Sequence, residues 1–171
     1  MQVSKDFSQD GHPIILALRV SAVLSSMIAL IVFAWAVQAH KSVYTDVNGS
    51  SMCLIAMITV AYAFVWSAVA LIVRLVFNRP LYAGIYIAMD FLAFGAVVGS
   101  TIALLAVLEP YGVDYQCVKH PCAANIGQVQ AFGAAMSLLD GTLHLALLVW
   151  AWWACHRSTG KTQGRKTVDE H

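Results

Sequence analysis

Four titratable residues interrupt stretches that otherwise read as hydrocarbon: Arg19, Asp90, Asp140 and His144. A charge at membrane depth costs several kcal/mol or more unless it is paired or hydrated, so such residues are rare and need a reason. Arg19 and Asp90 suit each other chemically. A guanidinium and a carboxylate form two parallel charge-assisted hydrogen bonds that satisfy both groups without water. Counted from the same side, Arg19 lies roughly 8 Å deep and Asp90 roughly 12 Å deep, at 1.5 Å per residue. The long arginine side chain spans that offset. The pair reads as a clamp between two spans, and a proton or ion path is the weaker reading, because a guanidinium does not titrate usefully.

Asp140 and His144 are four residues apart and so are neighbours on one helix face, able to hydrogen-bond directly. At 100° per residue, Gly133, Ser137, Asp140, Gly141 and His144 fall within about a quarter of the helix circumference. One face is thus small and polar, and the rest is Leu, Val, Ala and Trp. An imidazole titrates near neutrality, so the face could relay a proton. A metal would need further ligands at that depth, and none is evident, so no metal or other cofactor is expected. The plainer reading is polar glue between helices. Cys117, His120 and Cys122 cluster elsewhere, near Pro121. The spacing is not C-x-x-C, which argues against redox catalysis. Three ligands without a fourth are weak as a zinc site. A Cys117–Cys122 disulfide is the expectation.

The elements that must position these groups are four apolar runs: Ile14–Val37, Met52–Phe77, Tyr82–Leu108 and Ala131–Cys155. Each exceeds the roughly 20 residues that cross a bilayer core, and none alternates as a barrel strand does. Only 11% of the chain is charged, against about a quarter in ordinary soluble domains. The expected fold is therefore an all-α bundle of four transmembrane helices, in the order 1–13 cytosolic segment, 14–155 membrane domain, 156–171 basic tail. The first run is too long for a signal-peptide core and contains Arg19, so cleavage is not expected. Gln2 excludes N-myristoylation, which requires glycine there. Four of the five tryptophans sit towards run ends, whereas Trp66 is expected inside the bundle. A net charge of +1, with no basic patch, gives no reason to expect nucleic acid. No P-loop, G-x-S-x-G or H-E-x-x-H is present, so no enzyme is expected.

Orientation follows from the basic residues flanking the spans. Lys5, Arg79, Arg157, Lys161, Arg165 and Lys166 share one side, with Arg74 near its edge, and only Lys41 and Lys119 lie on the other. Both termini are therefore expected in the cytosol. The outer connection 38–51 is short, and Asn48-Gly49 favours a tight turn there. Asn48-Gly49-Ser50 is also a glycosylation sequon on the outer side, although close to both flanking spans. Asn78-Arg79-Pro80 makes spans two and three antiparallel neighbours. Glu109-Pro110 ends span three. Residues 156–171 have little to bury and are expected to be disordered. Cys155, beside this basic tail, is a candidate for palmitoylation. Gly95 and Gly99 match the GxxxG pattern of close helix packing. They lie roughly 140–180° from Asp90 and are expected to meet a second neighbour, within the bundle as the first choice or on a second copy of the chain.

Taken together, the four spans, the cytosolic ends and the two intramembrane charges resemble the MARVEL-domain proteins. The likeness is to their small fungal tetraspan members and to the related Casparian strip membrane domain proteins. In the latter an Arg in span one and an Asp in span three are characteristic. The matching positions are Arg19 in Leu18-Arg19-Val20 and Asp90 in Met89-Asp90-Phe91. The likeness covers about residues 12–157. It implies a non-enzymatic protein of a eukaryotic plasma membrane or endomembrane that organises membrane domains, membrane apposition or vesicle trafficking. Its partners would be the lipid bilayer, a second copy of the chain or other membrane proteins. Asp140 and His144 lie outside that likeness and keep open a rival reading as a small proton-linked channel or transporter.

Overall fold

The computed structural model describes the backbone of residues 13–43, 47–77, 83–108 and 126–166, and the side chains of 13–39, 51–76, 84–106 and 127–156. Every described residue is helical. The helices are α1 (Pro13–Val43), α2 (Val47–Phe77), α3 (Ala83–Leu108) and α4 (Ile126–Lys166). Pro13 occupies the first turn of α1, where a missing N–H breaks no bond. Within these helices, Pro13–Ala39, Ser51–Val76, Gly84–Ala106 and Gly127–His156 are each long and apolar enough to cross a membrane.

Each of α1 and α3 packs against both α2 and α4, so the helices close into a ring. The partners fix the directions. Thr59 meets Ser100 and Trp66 meets Asp90, so α2 and α3 run antiparallel. Thr101 meets Ser137 and Asp90 meets His144, so α3 and α4 do too.

The interior has a simple origin in the sequence. In α1 the buried positions include Ile15, Arg19, Ala22, Ser26, Ala29, Phe33 and Ala36, alternately four and three residues apart. In α2 they include Cys53, Ala56, Val60, Ala63, Ser67 and Ala70 at the same spacing. A repeat averaging 3.5 residues is the seam of left-handed helix packing. Much of the seam is alanine, which lets backbones approach. The outside is the reverse of a soluble protein. Ile31, Ile58, Val65, Phe91, Ile102 and Trp152 are all more than half exposed. Arg19, Asp90, Thr101, Ser137, Asp140 and His144 are buried. Apolar atoms outside and charged groups inside are what a hydrocarbon surround selects.

Three expectations need correction. The outer connection is shorter than 38–51, because α1 continues to Val43 and α2 starts at Val47. Asn48-Gly49 is thus helical backbone and not a turn. Continuing a helix satisfies each peptide group internally as the chain leaves an apolar surround. The tail from 156 is helical to Lys166. Extending an existing helix adds one hydrogen bond per residue fixed.

The third correction concerns glycine and the expectation that Gly95 and Gly99 pack within the bundle. A Cβ placed on Gly95 or Gly99 meets nothing within 4 Å. The face opposite Asp90 points out of the ring, since the carboxylate claims the inside. The glycines that do pack are in α4. Gly133 would bring a Cβ 2.7 Å from Val32 Cγ1, and Gly141 one 2.6 Å from Val98 Cγ2.

Overpacking a well-filled contact costs about 1–3 kcal/mol, whereas alanine returns at most about 1 kcal/mol over glycine in a helix. Gly133→Ala and Gly141→Ala should therefore lower the unfolding midpoint of the purified chain in detergent. Gly95→Ala and Gly99→Ala should leave it unchanged or raise it. An equal loss at all four positions would contradict this arrangement of α3.

Candidate functional site

Asp90 is fully buried on α3 and collects donors from the other three helices. From α1, Arg19 Nη1 donates to Oδ1 at 2.7 Å and Nη2 to Oδ2 at 2.6 Å. From α2, Trp66 Nε1 donates to Oδ1 at 2.8 Å. From α4, His144 Nδ1 lies 3.1 Å from Oδ1. The guanidinium carbon also lies 5.2 Å from the Tyr86 ring centroid and 5.8 Å from that of Trp66. Aromatic faces at that range stabilise a cation electrostatically. The clamp between spans one and three is therefore one part of a larger junction that ties all four helices together.

Asp140 and His144 correct the sequence expectation. Their closest atoms, Nε2 and Oδ1, are 4.0 Å apart, beyond hydrogen-bond range. His144 instead turns Nδ1 to Asp90 and brings Nε2 to 3.4 Å from Ser67 Oγ. Asp140 Oδ1 accepts from Ser25 Oγ at 3.1 Å. Its Oδ2 is buried and has no hydrogen-bond partner among the described residues. The two pairs read separately from the sequence are thus one chain of groups. It runs from Arg19 through Asp90 and His144 towards Asp140.

The geometry limits the chemistry. An ionised carboxylate only accepts, so the contact with Asp90 places the hydrogen on His144 Nδ1. A neutral ring then accepts at Nε2 from Ser67, and a charged ring donates there. Nε2 is the one imidazole atom of the site at which a proton can be gained or lost while the Asp90 bond is kept. Direct transfer to Asp140 would require a side-chain movement or an intervening water to close 4.0 Å. Among the described residues, no group of three or more His, Cys, Asp or Glu is placed to hold a metal.

The other predicted positions are dispersed. Ser137 hydrogen-bonds Thr101 at 2.8 Å, linking α4 to α3 one level further along. Gly133 and Gly141 seat α4 against Val32 of α1 and Val98 of α3. Cys155 is exposed at the far end of the α4 span. Cys117, His120 and Cys122 lie outside the described residues, as does the side chain of Asn48. The sequence reading missed Ser25, Ser67 and the donor role of Trp66. Their signal was available, since Ser67 falls in frame with the buried 53, 56, 60, 63, 70 series of α2. Comparison with protein-family models, with curated proteins and with solved structures finds no match for this chain.

Breaking a buried pair by removing one partner typically costs about 3–5 kcal/mol, since a charge is left uncompensated. Arg19→Leu should reduce the yield of folded protein accordingly. Adding Asp90→Asn should recover much of the loss, because Asn keeps an acceptor for Trp66 and His144. Fluorescence-detected size exclusion of the two single variants and the double variant measures the coupling. A double variant as poor as the sum of the singles would mean that the contact contributes nothing.

Proposed function

We propose that this chain is a non-enzymatic, MARVEL-like four-span membrane protein. In this reading it organises membrane domains, membrane apposition or vesicle trafficking in a eukaryotic plasma membrane or endomembrane. The observation that carries the reading is how the buried polar side chains are used. Arg19, Trp66, Asp90 and His144 are joined to one another, and Thr101 to Ser137. Groups engaged in holding helices together are not arranged to line a path. The outward surface, by contrast, is apolar on all four helices, including Ile31, Val65, Phe91 and Val149. The working surface of such a protein is its lipid-facing side. The Arg19–Asp90 contact also agrees with the two charges on which the family resemblance rests.

One observation favours the rival reading of a proton-linked channel or transporter. Asp140 Oδ2 is buried with no partner among the described residues, and an unsatisfied buried acceptor is costly to retain. Proton flux into liposomes holding the purified chain separates the two readings. The scaffold reading expects flux no greater than that of empty vesicles. Flux above that level, lost in Asp140→Asn, would overturn it.

The reading also places both termini in the cytosol, with six basic residues on that side and two on the other. Epitope tags at each end should resist protease added to intact cells. Digestion of either tag would refute the topology.

A further inference from the structure

The end of the bundle at which α1 starts, α2 ends and α3 starts carries an open recess. It is lined by Ile15, Leu16 and Arg19 of α1, Ala70, Leu71 and Arg74 of α2, and Tyr86 of α3. Ile15 to Arg19 and Arg74 to Ala70 are each one helical turn, running in opposite directions. Arg19 therefore stands at the inner end and Arg74 near the mouth, about 6 Å apart along the axis.

The two arginines differ in what they are given. Arg19 is neutralised by Asp90, which takes two of its five N–H donors. Arg74 is half-buried and makes no hydrogen bond or ion pair among the described residues. Among the described residues, the recess thus holds one positive charge with no counter-charge, in walls that are otherwise aliphatic and aromatic. An anion carrying its own hydrocarbon meets every part of it.

We infer that this recess is a binding site for an anionic glycerophospholipid of the bilayer. The headgroup phosphate pairs with Arg74 at the mouth, and the upper acyl chain lies along Ile15, Leu16 and Leu71. Basic pockets between transmembrane helices on the cytoplasmic side recognise headgroups by this chemistry. The site rests on the membrane reading above and is independent of whether the protein is a scaffold or a transporter. It also separates two tasks. Arg19 holds the bundle, and Arg74 is left over for a ligand.

The test uses the full chain, first reconstituted into phosphatidylcholine vesicles and checked by flotation. It is then solubilised in mild detergent and titrated with phosphatidylglycerol or phosphatidylcholine of identical chains, with bound lipid read by native mass spectrometry. Both lipids offer a phosphate, but in phosphatidylcholine the trimethylammonium already compensates it, so the expected result is a phosphatidylglycerol preference of about tenfold from its net negative charge. Arg74→Gln should abolish the preference, Arg74→Lys should keep most of it, and Leu71→Trp should weaken binding of both lipids by filling the recess. Equal binding of the two lipids, or a preference that survives Arg74→Gln, would overturn the site. Displacement of the lipid by glycerol 1-phosphate at matching concentration would show a free-phosphate site and overturn the lipid assignment. Failure to float would refute the membrane reading itself, which keeps the two failures distinct.

Discussion

A carboxylate that cannot reach water must find its hydrogen bonds from whatever surrounds it, and in this bundle everything surrounding Asp90 is another helix. Its two oxygens receive donors from α1, α2 and α4 within 3.1 Å. Hydrophobic burial contributes little to holding helices together when their surroundings are as apolar as they are. Packing of small residues and polar contacts have to do it. The alanine seam lets the backbones approach, and Asp90 fixes which rotation of each helix is accepted. A slip of α1 by one residue would turn Arg19 about 100° away and strand both charges.

That constraint explains the rest of the interior. Levels above the charged junction are joined by neutral contacts, Thr59 with Ser100 and Thr101 with Ser137. Several of these hydroxyls also return a bond to their own helix, as Thr101 does to Val97 O at 2.7 Å. Such groups can be buried at low cost because they are satisfied before a neighbour arrives. The bundle therefore has one level that demands a specific partner and others that tolerate approximation. Asp140 Oδ2 is the point at which satisfaction stops.

Much of this was readable from residue types and spacing. Helix number and approximate extents follow from run length, because a bilayer admits few alternatives. Arg19 and Asp90 were recognisable as partners because each needed one and their depths agreed. Asp140 and His144 were paired with each other for a reason that turned out too local. Helical spacing tells which groups share a face, and it does not tell which neighbouring helix offers a better acceptor. Asp90 offers a carboxylate oxygen at 3.1 Å, whereas Asp140 is at 4.0 Å. The angle between Gly95 and Asp90 was likewise correct, and only its meaning changed. An angle on one helix becomes inside or outside only when the other three are placed. Arg74 passed as an edge residue because its importance lies in a recess shared with α1 and α3.

The separation of Arg19 and Asp90 along the chain, 71 residues, also has a consequence in time. Synthesis proceeds at about 5–20 residues per second, so the arginine precedes its carboxylate by about 4–14 s. Throughout that interval α1 carries a permanent cation without the carboxylate that pairs with it in the bundle. It cannot be released alone into lipid without a charge at depth. In the four-span reading proposed above, the first helix is expected to stay with the insertion machinery until the third emerges, and His144 on the fourth then closes the junction. In that reading, birth order makes the emergence of Asp90 the earliest moment at which α1 can leave its shelter.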